Sequence, residues 1–335
     1  MTKIDRRAAL TGSLTLAAAG SLAATKAQGQ AGAAREGTTL VTPEPLSQAP
    51  GFYRYKVGSL TVTALHDGFS LRPLDASFVP NAALDEVTRA LAEAFLPTDA
   101  VPLTFTALLV DTGSQRILID TGTGGRLGPT SGQLAANLAA AGVAPDSIQT
   151  VVISHFHGDH INGLKTGDGA LAFAKAEVLV PQPEWAYWMD DGMMSRAPKP
   201  LEGNFRNARR VFGDIGERVR RFEWGQEIAG GISAIDAPGH TPGHTAFLLS
   251  SGREELLVLS DTANHPALFV RHPGWAAVFD MDWDTARMTR RKLLDRAAAE
   301  RVRVAGFHFP FPANGHILRE GSGYRFVPVQ WSAQV

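Results

Sequence analysis

Apolar and polar residues alternate along several short stretches of the chain, a pattern typical of β-strands with one buried face. Residues 52–57 and 60–65 follow this pattern on either side of a Gly-Ser turn, so they predict a β-hairpin. Residues 105–110 and 116–120 predict a second hairpin around another glycine-containing turn. The first half of the chain therefore begins with antiparallel strands.

Shorter apolar runs predict further strands, and segments with helical spacing lie between them. The predicted strands are 151–154, 177–180, 232–236, 245–249, 256–259, 302–307 and 324–329. The predicted helices are 82–95, 134–141, 183–190 and 285–301. The last strand holds Pro328 and is therefore predicted at a sheet edge. Strands in both halves with helices between them predict an α/β fold, in which two sheets pack face to face and helices lie outside.

The first thirty or so residues have a different pattern. Lys3, Arg6 and Arg7 precede the weakly apolar run 8–24, an order typical of an export signal. The arginine pair favours twin-arginine export, which would make the protein periplasmic or secreted. Cleavage is expected after Ala33, so residues 1–33 are the predicted signal peptide. A lipid anchor or an uncleaved tail is the alternative.

Composition changes this picture in three ways. The 335 residues are 44% hydrophobic and 19% charged, which indicates a large core rather than disorder. Residues 34–50, with several prolines, are predicted to be a linker, and 51–335 one globular domain. The formal net charge of −1 disfavours nucleic acid as a partner. Apart from the run 8–24, no stretch is apolar over a length that could span a bilayer. The charged residues of 284–303 are interpreted as a solvated helix face.

Cysteine is absent, which excludes disulfides and thiolate ligands, so any metal site must use nitrogen and oxygen. The densest group of candidate ligands is 155–160, directly after the predicted strand 151–154. Alternation along the chain directs His155 and His157 the same way, and a turn after them brings Asp159 and His160 to a second position. One loop therefore offers ligands for two metals. Further candidates follow later strands and turns: His240, His244, Asp261 and His308.

In order and spacing, these residues resemble the motifs of the metallo-β-lactamase superfamily, which match at 155–160, 239–244, 260–261 and 307–308. Within the superfamily the chain is most similar to the methyl parathion hydrolase group. That likeness covers most of the chain after residue 50, including 65–68, 120–122, 127–130 and 323–329. The resemblance implies an αββα sandwich of two mixed sheets flanked by helices, with 51–335 as the catalytic domain and the metals at one edge between the sheets.

The resemblance also implies two divalent ions. One would be held by His155, His157 and His240, the other by Asp159, His160 and His308, and Asp261 would bridge both. Imidazole and carboxylate ligands favour Zn²⁺, with Mn²⁺, Fe²⁺ and Co²⁺ as alternatives. Asp67 and Asp120 are expected to orient the ligand histidines or the ligand loop, and His244 to be a structural partner rather than a ligand.

Two cations that share a hydroxide supply a nucleophile near neutral pH and polarise a carbonyl or phosphoryl oxygen. Asp159 and Asp261 are the predicted catalytic residues, because they lower the net charge of the centre and can accept the proton. The implied reaction is hydrolysis of a small neutral ester, lactone or organophosphate triester. An N-acyl-homoserine lactonase and a β-lactamase are the alternatives within the fold, and a metal-binding protein without turnover is the alternative outside enzymes. A homodimer is left open.

The predicted substrate pocket consists of Leu127, Trp188, Phe205, Asn264 and His265. Trp188 and Phe205 are expected to form an apolar mouth. Leu127 stands where the organophosphate hydrolases of the group have an aromatic residue, which weakens the prediction of an aryl phosphotriester substrate. Asn264 stands where acyl-homoserine lactonases carry a tyrosine that contacts the substrate carbonyl. His265 is expected either to line the pocket or to be solvated.

Overall fold

The computed structural model describes residues 48–335, which form two seven-stranded sheets. The first sheet consists of β1 (Phe52–Val57), β2 (Leu60–Pro73), β3 (Ala100–Asp111), β4 (Arg116–Ile119), β5 (Thr150–Val152), β6 (Glu177–Pro181) and β7 (Val219–Phe222). The second consists of β8 (Glu227–Ala229), β9 (Ile232–Asp236), β10 (Thr245–Ser251), β11 (Glu254–Ser260), β12 (Arg303–Gly306), β13 (Asn314–Glu320) and β14 (Gly323–Pro328). Each sheet keeps the chain order, with parallel pairing from β4 to β7 and between β11 and β12.

Seven α-helices lie among residues 48–335, and most of them cover the outer faces of these sheets. They are α1 (Leu84–Glu93), α2 (Leu134–Ala140), α3 (Gly158–Ile161), α4 (Gln182–Trp188), α5 (Asp191–Ser195), α6 (Lys199–Phe212) and α7 (Trp283–Glu300). A one-turn π-helix spans Pro266–Val270. The predicted α/β sandwich of two mixed sheets flanked by helices is therefore confirmed.

Apolar side chains form three layers. The middle layer joins the two sheets, for example through Val62 and Val152 of the first and Phe247 and Leu256 of the second. One outer layer packs α2, α4 and α6 onto the first sheet, and the other packs α1 and α7 onto the second. Strands that are buried on both faces, such as β5, read as continuous apolar runs, which explains why the sequence predicted them.

The predicted hairpins and helices match β1–β2, β3–β4, α1, α2, α4 and α7, and β14 lies at the edge of its sheet as its proline predicted. The sequence pattern did not predict α3, α5, α6, β7, β8 and β13. The predicted export signal and most of the predicted linker lie outside the described residues and stay predictions. Within residues 48–335, none of the helices has the length and apolar character needed to cross a membrane.

Candidate metal centre

Five histidines and two aspartates meet where strands of both sheets end. The first sheet supplies 155–160, which follow β5 and continue into α3. The second sheet supplies His240 from the β9–β10 loop, Asp261 after β11 and His308 after β12. The site therefore lies between the two sheets, as the resemblance implied.

The seven side chains form two groups, and within each group the ligand atoms lie within 4.8 Å of one another. One group is His155, His157 and His240, and the other is Asp159, His160, Asp261 and His308. Asp261 touches both groups. Its Oδ1 lies 3.2 Å from Nε2 of His160, and its Oδ2 lies 3.3 Å from Nε2 of His240 and 2.9 Å from Nε2 of His308.

The buried nitrogen and oxygen atoms of this cluster fit divalent cations. Nε2 of His160 and Oδ1 of Asp261 are both buried and lie 3.2 Å apart, but within the described part of the chain neither makes a hydrogen bond of good geometry, which is costly unless another group satisfies them. Nδ1 of His157 lies 3.1 Å from Nε2 of His155 and 2.9 Å from Nε2 of His240, so three ring nitrogens point at one place. Imidazole nitrogens and carboxylate oxygens are ligands that zinc and related ions accept.

The electrostatics of the cluster also suit cations. Burial and the neighbouring imidazoles hold the pKa of His155 and of His157 well below the usual value, so both rings are neutral and able to coordinate. Burial opposes a charge on His160 and His240, but the nearby aspartates outweigh it, raising the pKa of His160 well above its usual value and that of His240 to about 9. The carboxylates that raise these pKa values form a negative cluster that would equally attract divalent ions.

Asp120 orients His160. Its carboxylate accepts hydrogen bonds from Nδ1 of His160 and from the backbone N–H and hydroxyl of Ser154, each at 2.8 Å. Nε2 of His160 is thereby left to face the centre. Asp120 has a φ of 61°, a left-handed conformation that non-glycine residues rarely adopt and that is often found at functional sites.

Asp67 does not contact a ligand histidine. Its carboxylate accepts from the backbone N–H and hydroxyl of Thr123, at 2.8 and 2.7 Å, and from the backbone N–H of Leu134 at 2.8 Å. It therefore fastens the segment that contains Thr121, whose backbone N–H donates to the carbonyl of His160 at 2.8 Å. Asp67 supports the ligand loop through its neighbours.

His244 holds the backbone of Asp261. Nδ1 of His244 lies 2.8 Å from the carbonyl oxygen of Ala237, and Nε2 accepts from the backbone N–H of Asp261 at 3.0 Å. Burial lowers the pKa of His244 to about 3, so the ring is neutral and Nε2 remains an acceptor. His244 belongs to neither ligand group.

The sequence pattern did not point to Asp280 and Arg290, which also support the centre. Asp280 accepts from Nδ1 of His240 at 2.9 Å and from Nη2 of Arg290 at 2.9 Å. Arg290 is fully buried and also donates to the carbonyl of Thr262 at 2.7 Å. Thr262 is the residue that follows Asp261 in the chain. The interpretation of 284–303 as a solvated face is thus wrong at Arg290, since this side chain points inward from α7. One arginine among the four of this charged helix gives no signal of that.

Glu184 was also missed, and it ties two ligand loops together. Its carboxylate accepts from the backbone N–H groups of Phe156 and Gly243, at 2.8 and 2.7 Å. It also accepts from the hydroxyl of Thr241 at 2.9 Å and from Nε1 of Trp188 at 2.7 Å. A Cβ at position 243 would lie 2.1 Å from the backbone nitrogen of Glu184, so only glycine allows this approach.

The predicted apolar mouth needs correction. Trp188 and Phe205 are fully buried and pack in the core beneath the first sheet, with Trp188 bonded to Glu184, so neither lines an opening. Leu127 is 46% exposed. Asn264 lies at the centre, where its Nδ2 donates to Oδ2 of Asp261 at 3.0 Å. His265 is buried and, together with His308, lines a cavity beside the centre.

An αββα sandwich with a histidine and aspartate cluster between the ends of its two sheets defines a class of metal-dependent hydrolases. A model of the metallo-β-lactamase superfamily matches residues 103–303 of this chain, and the chain belongs to that superfamily. The match covers the ligand positions from 155 to 261.

Curated relatives agree at the level of the family. A probable metallo-hydrolase of Mycobacterium tuberculosis and one of Mycobacterium bovis are each 27% identical to the chain over 183 residues. Each alignment covers 47% of this chain and 56% of the relative, so the chain spans little more than half the length of the curated relatives it matches.

Solved structures extend the similarity to most of the chain. AidC, a dizinc quorum-quenching lactonase solved with the product N-hexanoyl-L-homoserine, is 27% identical with a TM-score of 0.80, over 84% of this chain and 98% of its own. The hydrolase AbOPH is 27% identical with a TM-score of 0.81, over 85% of this chain and 100% of its own. A probable metal-dependent hydrolase of Staphylococcus aureus, 19% identical with a TM-score of 0.67 over 83% of this chain and 100% of its own, shares the fold.

Proposed function

We propose that the protein is a binuclear metal-dependent hydrolase of small neutral esters, lactones or organophosphate triesters, similar to the methyl parathion hydrolase group. The observation that carries this proposal is the position of Asp261, whose two carboxylate oxygens reach both ligand groups. A carboxylate shared in this way supports two neighbouring cations rather than one.

Two bound divalent ions would supply an ionised water near neutral pH and positive charge for the carbonyl or phosphoryl oxygen of the substrate. His155, His157 and His240 would hold one ion, and Asp159, His160 and His308 the other, with Asp261 between them. Asp159 is the more accessible of the two ligand carboxylates, with a side chain 16% exposed against 2% for Asp261, and is placed to accept a proton during hydrolysis. We propose zinc as the metal, since nitrogen and oxygen ligands in these numbers suit it.

A lactone is the substrate class that the comparisons favour. AidC, which resembles this chain over 98% of AidC's own length, is a dizinc lactonase that was solved with a ring-opened acyl-homoserine product. The chain has Asn264 beside Asp261 instead of the tyrosine expected of acyl-homoserine lactonases, and the amide of Asn264 already donates to the shared carboxylate. Asn264 counts against an acyl-homoserine lactonase site of that kind, so the likeness to AidC alone leads us to propose lactones and activated esters first, and aryl phosphotriesters second. Export through the twin-arginine route is part of the proposal.

Metal analysis of the purified protein, followed by turnover of substrate panels, tests this function. The panel contains p-nitrophenyl esters, dihydrocoumarin, acyl-homoserine lactones and methyl paraoxon. We expect about two zinc ions per chain and hydrolysis of at least one substrate class.

In Asp261→Asn we expect hydrolysis to be lost and metal content to fall while circular dichroism is unchanged. Asp284→Asn, on the exposed face of α7, is the matched control and should behave as the parent does. Full turnover by Asp261→Asn, or a protein that binds no metal, would overturn the proposal.

A further inference from the structure

Two asparagine amides lie against Gly158, which separates two of the ligand residues. A Cβ at position 158 would lie 2.9 Å from Nδ2 of Asn162 and 3.6 Å from Nδ2 of Asn207. Residues 157–159 are partly exposed, so this side of the ligand loop is open to solvent. The two amides therefore place N–H donors beside the metal centre, on a side that solvent reaches.

Arg210 of α6 sets the orientation of both amides. Its Nη2 donates to Oδ1 of Asn162 at 2.6 Å and to Oδ1 of Asn207 at 2.8 Å, and its Nε donates to Oδ1 of Asn207 at 3.2 Å. Because both oxygens accept from the guanidinium, both Nδ2 groups are left to point toward Gly158. Asn162 is only 4% exposed, which restricts its rotation. The network thus presents donors rather than acceptors.

Arg210 differs from its neighbours on α6, because it has no carboxylate partner. Arg206 pairs with Glu202 at 3.3 Å. Arg209 pairs with Asp191 at 2.8 Å. In the described part of the chain, Arg210 instead bonds to the two neutral amides. Arginine stays charged in proteins, so this positive charge is not balanced by a carboxylate there.

Arg126 brings a second positive charge to the same place. It belongs to the exposed loop 124–130, which packs on Asn162, since a Cβ at Gly124 would lie 2.8 Å from the carbonyl oxygen of Asn162. Burial lowers the pKa of Arg210, and the nearby charge of Arg126 lowers it further. Neither arginine forms an ion pair with a carboxylate of the described residues. Two like charges without a counter-ion repel each other, and a bound anion would relieve that repulsion.

We propose that Arg126, Asn162, Asn207 and Arg210, the arginine–amide site, bind a small oxyanion, a carboxylate or a phosphodiester, beside the metal centre. Guanidinium and amide N–H groups match the two oxygens of such an anion. Hydrolysis of a neutral ester takes up one water and gives an alcohol, a carboxylate and a proton. A lactone gives the same groups in one molecule, and a triester gives a diester anion in place of the carboxylate.

The arginine–amide site therefore receives the anionic product as it leaves the centre. A neutral substrate gains little from the two charges, whereas the product carries the charge that they attract. This role rests on the proposed hydrolase function, but binding of the anion does not.

Chemical modification tests the site without turnover. Phenylglyoxal forms an adduct with accessible arginines, and peptide mass spectrometry measures the modified fraction at each position. In the metal-loaded protein, saturating butyrate or dimethyl phosphate is expected to slow modification of Arg210 about fivefold or more, because a bound anion covers the guanidinium. Arg89 of α1, which pairs with Asp85 at 3.5 Å, is the control within the same molecule and should react at an unchanged rate. If neither anion slows modification of Arg210, the proposal is refuted.

The two anions also distinguish the sources of the ligand. Butyrate represents the carboxylate that an ester or lactone releases, and dimethyl phosphate represents the diester that a triester releases. Protection of Arg210 at a lower concentration of one anion assigns the site to that class of product.

Product inhibition tests whether the site serves the reaction. Turnover of p-nitrophenyl butyrate is measured with added butyrate, and the inhibition constant of butyrate is expected to rise about tenfold in Arg210→Gln. Arg210→Lys keeps the charge without the planar fork and should recover part of that affinity. Arg89→Gln removes a paired surface arginine and should keep the inhibition constant of the parent. An inhibition constant that is unchanged in Arg210→Gln would overturn the proposed role.

Failure of this inference can be separated from failure of the hydrolase function. A protein that hydrolyses no substrate refutes the function, while the modification experiment still decides whether the anion binds. A protein that hydrolyses esters but shows no protection of Arg210 keeps the function and loses the site. If Arg210→Gln loses metal or is unfolded by circular dichroism, Arg126→Gln takes its place, because Arg126 is exposed and lies on a loop outside α6.

Discussion

A buried imidazole presents one nitrogen to a cation reliably when its other nitrogen is held by a partner. His160, His240 and His308 meet this condition through Asp120, Asp280 and the carbonyl of Thr104, at 2.8, 2.9 and 2.8 Å. In each case Nδ1 is held and Nε2 faces the cluster. These outer contacts set the ring orientation before a metal arrives, which reduces the entropy lost on binding.

Asp280 is therefore expected to control metal affinity through His240. In Asp280→Ala, Nδ1 of His240 loses its acceptor, and metal affinity should fall by about 10–100-fold. Competition with a chelator, followed by metal analysis, measures this change. Asp280→Asn keeps an acceptor oxygen and should lie between the parent and Asp280→Ala. Affinity unchanged in Asp280→Ala would show that His240 needs no such partner.

Arg290 is expected to matter for stability more than for metal binding. It is fully buried, and in Arg290→Met the carboxylate of Asp280 loses its buried counter-ion. Removing one partner of a buried ion pair costs about 3–5 kcal/mol, and this loss should appear in urea unfolding at constant m-value. Arg291→Met removes the neighbouring arginine of α7, which is exposed, and is the control. A stability loss below about 1 kcal/mol would mean that the pair behaves like a surface ion pair.

The elements that carry the ligands are also tied to one another, and Glu184 of α4 is the main link. Its four hydrogen bonds join the loop after β5 to the β9–β10 loop, so these two ligand loops share one anchor. Burial raises the pKa of Glu184, but the four donors act in the opposite direction. All four partners are donors, so the site is built for a carboxylate.

Glu184→Gln is expected to destabilise the protein, because an amide places two N–H donors where the carboxylate faced only donors. Leaving one or two buried donors without an acceptor costs about 1–3 kcal/mol each. Urea unfolding measures the loss. Glu223→Gln makes the same change at an exposed position and should be neutral. If Glu184→Gln is as stable as Glu223→Gln, the link does not carry the stability assigned to it.

Sequence pattern predicted the elements with strong local signals and missed those without them. The first hairpin and α7 have clear alternation or helical spacing, whereas β8 has three residues and β13 mixes glycine with charged residues. The helix α6 has helical spacing at Phe205, Ala208 and Phe212, but Pro198 and Pro200 at its start make the segment resemble a loop. These elements depend on sheet contacts that are distant in sequence.

The same distinction holds for the site. All seven clustered side chains were predicted, because a superfamily motif places them at strand ends. Asp280, Arg290 and Glu184 lie outside any motif and reach the centre only through tertiary packing. Trp188 and Phe205 were assigned to the mouth by resemblance, and only the packing of α4 and α6 shows that they are buried.

For the whole molecule, the candidate metal centre takes its ligands from both sheets, which also meet through an apolar layer. Metals that bind the folded state alone stabilise it, by about 2.7 kcal/mol when the free metal is a hundred times its dissociation constant. Removal of metal by a chelator should therefore lower Tm by several degrees, and added zinc should restore it. In Asp261→Asn the zinc-dependent shift should be much smaller. A Tm that does not respond to chelation would contradict a centre of this kind.

The order of the strands has a further consequence. β1 to β7 form one sheet and β8 to β14 the other, so the polypeptide passes between them once, within residues 223–226. Cutting the chain there would give two polypeptides, each with a complete sheet. One would hold the ligands at 155–160, and the other would hold His240, Asp261 and His308. Neither fragment alone would have a complete centre, so zinc should promote their reassembly, and the protein could then serve as a split sensor that reports the concentration of the ion.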